Sequence, residues 1–204
     1  RSVLDHLRSG KDWDLARRHD GLFYLPAAQD DAQRRKGDLK NFYHNLDFIE
    51  HASSRYILLA NGSFVYNIDF NKVLRFHQNT GADITLVSHT TEDENTGNNI
   101  VLDTAENGLV LDIAEKPVAY QGMKVSMGIY LMDKRAFVEI VRYAYERGGQ
   151  DFVLDGIIRR ARDYTMFAYA HDGYMAHVDS MSTYYRSNME ILDPEVWQHL
   201  FMGE

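Results

Sequence analysis

Tyr56-Ile57-Leu58-Leu59-Ala60-Asn61-Gly62 and, further on, Asp83-Ile84-Thr85-Leu86-Val87-Ser88-His89 frame the stretch that sets the fold. The first is an unbroken apolar run closed by a turn signal. Such a run reads as a strand buried on both faces, and the second stretch reads as another strand. Between them Phe70, Val73, Leu74 and His77 keep helical spacing, and Gly81 stops that helix. Strand, helix and strand in so short a span form a βαβ unit, which implies parallel pairing with a right-handed crossover.

Outward from this unit, helical and strand signals keep alternating. Upstream, Asp38 stands as an N-cap before Leu39, Phe42, Leu46 and Ile49, which share one helical face. Downstream, residues 91–97 are polar and turn-rich and read as a surface loop. Ile100-Val101-Leu102-Asp103 and Leu109-Val110-Leu111-Asp112 flank Glu106-Asn107-Gly108, a strong hairpin signal. Residues 125–131 read as a strand, and Phe137, Ile140, Val141 and Ala144 as a helix closed by Gly148-Gly149. Asp151 caps a further helix over Val153, Leu154, Ile157, Ile158 and Ala161. Two strands follow, over residues 165–170 and 174–178. Ser180 caps a last helix that runs to Leu192 and ends at Asp193-Pro194. The pattern predicts one α/β domain with a mostly parallel, mixed sheet flanked by helices. In such domains ligands sit beyond the carboxyl ends of the strands.

Composition narrows the function classes. The 204 residues are 45% hydrophobic and 12% aromatic, which fits a folded globular chain. The net charge is −8 with no dominant cationic tract, which argues against a nucleic-acid partner. No cysteine is present, so disulfides and thiolate metal sites are excluded, and a reducing cytoplasm is the expected setting. No apolar run approaches the roughly 20 residues that span a bilayer, so no membrane partner is expected. The chain opens at Arg1, inside what reads as a helix, and is expected to be a piece of a longer protein.

Several residues are candidates for chemistry. Glu115-Lys116-Pro117 reads as a strand-end loop, in which lysine neutralises a phosphate and glutamate accepts bonds from sugar hydroxyls. A solvated strand end is the simpler reading of that tripeptide alone. Ser126-Met127-Gly128-Ile129-Tyr130 places a glycine inside a strand, which marks either tight packing or a close approach by a ligand or backbone. Asn61-Gly62-Ser63 offers backbone amides to a phosphate, or is a plain turn. His171-Asp172 and His177 with Asp179 lack a metal-ligand spacing. Arg34-Arg35-Lys36 is a small basic cluster entering a helix. Arg159, Arg160 and Arg162 read as a solvated helix face.

Taken in order, these segments resemble the bacterial ADP-glucose pyrophosphorylase (glucose-1-phosphate adenylyltransferase) family. The resemblance runs over nearly the whole chain. It is carried by residues 37–49, residues 58–70, Glu115-Lys116-Pro117, Ser126-Met127-Gly128-Ile129-Tyr130, and the closing helix with Tyr184 and Asn188. It implies a Rossmann-like nucleotidyltransferase domain over residues 1–192 and the start of a linker to a left-handed β-helix over 193–204. It also implies a glycine-rich nucleotide loop ahead of Arg1. The family joins glucose 1-phosphate to ATP and releases pyrophosphate, by in-line attack of a sugar-phosphate oxygen on the α-phosphorus with Mg²⁺ aligning the phosphates.

The resemblance implies sugar-phosphate contacts at Glu115, Lys116, Ser126 and Gly128, and nucleotide contacts at Gly37 and Gly62. The chain departs from the family at the metal. Where the family has Gly-Asp-His, this chain has Gly62-Ser63-Phe64. Where it has Trp-Arg-Asp-Val-Gly-Thr, this chain has Met175-Ala176-His177-Val178-Asp179-Ser180. The family's Gly-Thr-Ala-Asp-Ala has become Gly37-Asp38-Leu39-Lys40-Asn41. With Ser63 and His177 in place of both metal carboxylates, Mg²⁺ is not expected on this chain. The pattern resembles that of the family's GlgD-type subunit, and the resemblance implies a regulatory role beside a catalytic subunit in a hetero-oligomer of glycogen synthesis. A working enzyme with unusual metal ligands, Asp179 among them, and a stand-alone sugar-phosphate-binding module are the alternatives.

Overall fold

The computed structural model describes residues 2–17, 21–25, 37–91 and 95–202. After helix α1 (Ser2–Leu7) come α2 (Leu39–His44), α3 (Leu46–His51), β1 (Tyr56–Ala60), β2 (Phe64–Tyr66), α4 (Phe70–Thr80) and β3 (Ile84–Thr90). Then follow β4 (Asn95–Thr104), β5 (Val110–Ala119), β6 (Lys124–Asp133) and α5 (Lys134–Glu146). A π-helix (Phe152–Ile157) and a 3-10 helix (Ile158–Asp163) lead to β7 (Met166–Ala170), β8 (Met175–His177), α6 (Met181–Glu190) and α7 (Pro194–Phe201).

The main sheet has the order β5-β4-β6-β3-β7, with β1 also paired to β6. β1, β3 and β4 each run antiparallel to β6, and β7 runs parallel to β3. These four therefore share one direction, against β6 and β5. The βαβ reading needs one correction. β1 and β3 do point the same way, but β6 lies between them, so neither pairs with the other. β6 takes the centre because nearly all of it is buried.

The strict period of two explains the unbroken apolar runs. Tyr130 and Met132 of β6 join Ile84 and Leu86 of β3 on one face, under Leu39, Phe137, Ile140 and Phe152. Met127, Ile129, Leu131 and Val87 face the other way, against Val73 of α4. β3 and β6 thus lose both faces to helices, and each fully buried large side chain is worth about 1.5–3 kcal/mol. β1, expected to be buried on both faces, is only partly covered because, among the described residues, it pairs with β6 alone. Phe42, Phe137 and Phe152 lock the first layer edge to face and tilted, with ring centroids 5.2–5.5 Å apart.

Helix boundaries follow the caps. Asp69 and Asp133 accept from Asn71 N and Arg135 N, and Gly81 closes α4 at φ 63°. Asp151 accepts from Val153 N and Leu154 N, both at 2.8 Å, so the expected cap forms, although the turns it opens are π and then 3-10. Ser180 forms a capping box with Thr183 at the start of α6. Three expectations change. The helix over 39–49 breaks at Asn45 into α2 and α3. Asp38 does not cap it, because its Oδ1 accepts instead from Phe152 N at 2.9 Å. Asp193-Pro194 does more than end a helix. It opens α7, with proline in the first turn, where no N–H is missed.

Candidate functional site

The turn after β1 is built around one amide. Asn61 Oδ1 accepts from Ser63 N at 3.0 Å and from Ser63 Oγ at 2.8 Å. Its own N–H donates to the Gly128 carbonyl at 3.0 Å, which ties the turn to the middle of β6. There the β3–β6 register shifts between Val87 and Ser88, with Val87 opposite Ile129 and Ser88 opposite Ser126. The extra residues form a bulge, and Gly128 takes φ 67°. A Cβ on Gly128 would lie 2.8 Å from Asn61 Cβ. The close approach signalled by a glycine inside a strand is therefore that of Asn61.

The bulge re-aims Ser126. Its Oγ accepts from Gly128 N at 3.2 Å and donates to Tyr130 Oη at 3.2 Å. Two hydroxyls that share one hydrogen bond keep one further proton, and this pair is buried at the wall of a cleft. Burial pushes the Tyr130 phenol up to about 12, so it stays a donor at any physiological pH.

The cleft has a volume of about 1270 Å³. Asn61, Glu115, Ser126, Gly128, Tyr130 and His177 all line it. Asp38 and Asp151 reach it from the segment before α2 and from the N-terminus of the π-helix. Desolvation holds the Asp38 carboxyl above the usual range, and the neighbouring Asp151 charge adds to this against its bond from Phe152 N. Among the described residues the lining contains no lysine or arginine; His89 and His177 are its only side chains that can become cationic.

His177 sits opposite Phe64 in the two-stranded β2–β8 sheet. The two rings stack with centroids 4.3 Å apart and planes 12° off parallel. His177 Nδ1 is 3.8 Å from Asp179 Oδ2, while Asp179 Oδ1 accepts from Thr183 Oγ1 at 3.0 Å. Mg²⁺ takes hard oxygen ligands, usually including one or two carboxylates. At Ser63 and His177, the positions the resemblance sets for them, stand a hydroxyl already donated to Asn61 and an imidazole stacked on Phe64. These two residues do not fit the ion.

The structure brings Glu115, Ser126, Gly128 and His177 into one cleft and leaves Lys116, Gly37, Gly62 and Ser63 outside its lining. Glu115-Lys116-Pro117 is not a strand-end loop. It lies within β5, where Glu115 pairs with Ile100 and Lys116 with Asn99. Alternation sends neighbouring side chains to opposite faces, so Glu115 turns to the cleft and Lys116 does not. Pro117 is accommodated because β5 is an edge strand, and the β4 register shifts opposite it between Thr96 and Asn99.

Gly37 has a packing reason to be glycine, since a Cβ there would lie 2.1 Å from the Gln150 carbonyl. Gly62 has none, with nothing within 4 Å. The polar loop reading of 91–97 shortens, because β4 begins at Asn95; residues 92–94 and Arg34-Arg35-Lys36 lie outside the described residues. Arg160 is mostly covered rather than solvated, donating to Glu139 and Asp163 and lying over the Tyr143 and Tyr164 rings. Tyr130, Asp38 and Asp151 are site residues that motif reading passes over. For Tyr130 the signal was there, since Ser126, Gly128 and Tyr130 keep the period of two that shares a strand face.

A second groove, of about 580 Å³, runs along α5. Its charges are largely tied. Arg142 bridges to Glu50 at 2.9 Å, and Lys134 Nζ donates to the Glu50 and Ala52 carbonyls at 2.9 and 2.6 Å. Among the described residues no group of three His, Asp or Glu side chains is placed to hold a metal ion, and no helix is long and apolar enough to cross a membrane.

Comparison with known proteins matches residues 1–193 to the nucleotidyl transferase family. The glycogen biosynthesis protein GlgD of Bacillus subtilis is 27% identical over 205 residues, covering 100% of this chain and 50% of that protein. The GlgD of Geobacillus stearothermophilus is 32% identical over 99% of this chain and 50% of its own length. A glucose-1-phosphate adenylyltransferase of Mycoplasma mobile is 28% identical over 94% of this chain and 51% of its length. The chain thus spans about half the length of the curated relatives it matches.

Proposed function

The chain belongs to the nucleotidyltransferase family, and from that premise we propose that it is part of a regulatory, catalytically impaired subunit of glucose-1-phosphate adenylyltransferase in glycogen biosynthesis. Its partner is a catalytic subunit of the same enzyme, in a cytoplasmic hetero-oligomer. The cleft holds glucose 1-phosphate or a related sugar phosphate without turning it over. Glu115 accepts from sugar hydroxyls, and the Ser126–Tyr130 pair donates.

One observation carries this reading. Ser63 and His177, which the resemblance sets at the family's metal carboxylates, are each held by a neighbour, Asn61 and Phe64. Metal charge stabilisation is worth several kcal/mol of barrier, and each 1.4 kcal/mol is about tenfold in rate. A subunit lacking both carboxylates loses turnover by orders of magnitude while keeping a shaped pocket. The names of the relatives support the pathway, and the GlgD relatives support the subunit type.

The test is ADP-glucose formation by the full-length protein with Mg²⁺ or Mn²⁺, alone and mixed with the catalytic subunit. The expected result is negligible turnover alone and stimulation in the mixture. Substantial turnover alone would sink the reading in favour of an enzyme with an unusual metal site, and Asp179→Asn would then show whether that carboxylate serves. Neither stimulation nor co-purification would favour a stand-alone binding module.

A further inference from the structure

A sugar phosphate is an anion, and the cleft carries three carboxylates, Asp38, Glu115 and Asp151, with no lysine or arginine among the described lining residues. Among the described lining residues, only a histidine can offer positive charge to the phosphate. Two histidines line the cleft. His89 turns Nδ1 to the carbonyl of Thr90, 3.3 Å away. His177 lines the cleft, with Nδ1 3.8 Å from Asp179 Oδ2, and no hydrogen bond of Nε2 stands among the described contacts. Its ring is held flat against Phe64 across the β2–β8 ladder, so the plane of the imidazole is set before a ligand arrives. The neighbouring turn does not compete, because the Ser63 hydroxyl is donated to Asn61.

Resting on the binding reading above, we infer that His177 replaces the metal as a phosphate ligand: Nε2 donates an N–H directly to a phosphate oxygen, and this cleft takes a sugar phosphate without a divalent cation. A carboxylate at this position repels a phosphate unless a cation lies between them. An imidazole accepts the phosphate outright, through a charge-assisted hydrogen bond. The substitution that removes catalysis is then the one that keeps binding, and the site holds its ligand when Mg²⁺ is scarce.

Isothermal titration of the full-length protein with glucose 1-phosphate in EDTA tests this, with glucose as the uncharged comparison. The wild type binds glucose 1-phosphate in EDTA. His177→Asp weakens that binding at least tenfold, leaves glucose binding within about twofold, and His177→Gln, which keeps an N–H donor, falls between. Glu115→Gln weakens both ligands and reports on the cleft itself. If His177→Asp binds glucose 1-phosphate as the wild type does while Glu115→Gln is weakened, the inference is wrong and the cleft reading stands. Wild-type binding only on addition of Mg²⁺ overturns it equally, as does a parallel loss of both ligands in His177→Asp and His177→Gln. If the wild type binds neither ligand with or without Mg²⁺, the cleft reading fails and takes the inference with it.

Discussion

The His177 imidazole lies flat on the Phe64 ring, 4.3 Å between centroids, because the two residues are direct partners across the β2–β8 ladder. Stacked pairs of this kind are worth about 0.5–1.5 kcal/mol beyond area burial. A double-mutant cycle with Phe64→Leu and His177→Gln, followed by urea unfolding, should return a coupling of that size. In Phe64→Leu the His177 ring resonances should broaden. A coupling near zero would mean that Phe64 does not hold the ring.

Gly128, in the cleft wall, and Gly62, in the turn beside it, should behave in opposite ways. Gly128 adopts φ 67° and has Asn61 Cβ only 2.8 Å from where a Cβ would sit. Gly128→Ala should cost roughly 1–3 kcal/mol, from the left-handed backbone and the displaced turn. Gly62 has open space around it, so Gly62→Ala should stay within about 0.5 kcal/mol. Urea midpoints of the two variants decide the matter, and equal losses would refute the assignment of the close approach to Asn61.

Asp38 gives the fold a pH dependence of unusual sign for a carboxylate. Burial, aided by the Asp151 charge, raises its folded pKa above the ordinary 3.8. Folding therefore favours the protonated form. The contribution is full below the unfolded value and is lost as pH rises through the folded one. Asp38→Asn keeps an oxygen acceptor for Phe152 N and removes the charge. Its stability relative to wild type should improve from about pH 3 toward pH 7. Asp38→Ala leaves Phe152 N without its acceptor and should lose about 1–2 kcal/mol at pH 3, a loss that shrinks toward pH 7 with the same sign as in Asp38→Asn.

The buried hydroxyl pair should matter to ligand more than to fold. Tyr130→Phe removes Oη and leaves Ser126 Oγ bonded to Gly128 N. Stability should fall by no more than about 1.5 kcal/mol, and glucose 1-phosphate should bind roughly 3- to 10-fold more weakly by calorimetry. Unchanged affinity would remove Tyr130 from the proposed site.

Local signals in the chain were enough for most elements and for two of the three expected caps. Asp151 and Ser180 cap their helices as expected, and Asp69 caps α4. The hairpin turns at Glu106-Asn107-Gly108, and β3 becomes a buried central strand. Those features rest on neighbours within four residues, so spacing alone determines them. What only the tertiary structure decided depends on residues far apart in sequence. β6 enters between β1 and β3, and the Tyr56–Ala60 run, expected to be buried on both faces, becomes a partly exposed strand paired, among the described residues, only to β6. Asp38 leaves its own helix to cap Phe152, 114 positions away. Glu115-Lys116-Pro117 lies inside an edge strand, so only its glutamate faces the cleft. Ser63 and His177 were visible as substitutions from the sequence, but their partners Asn61 and Phe64 were not. The reason is physical: periodicity fixes which face a side chain takes, while cross-strand register and bulges, set by the packing of the whole sheet, fix what it meets there.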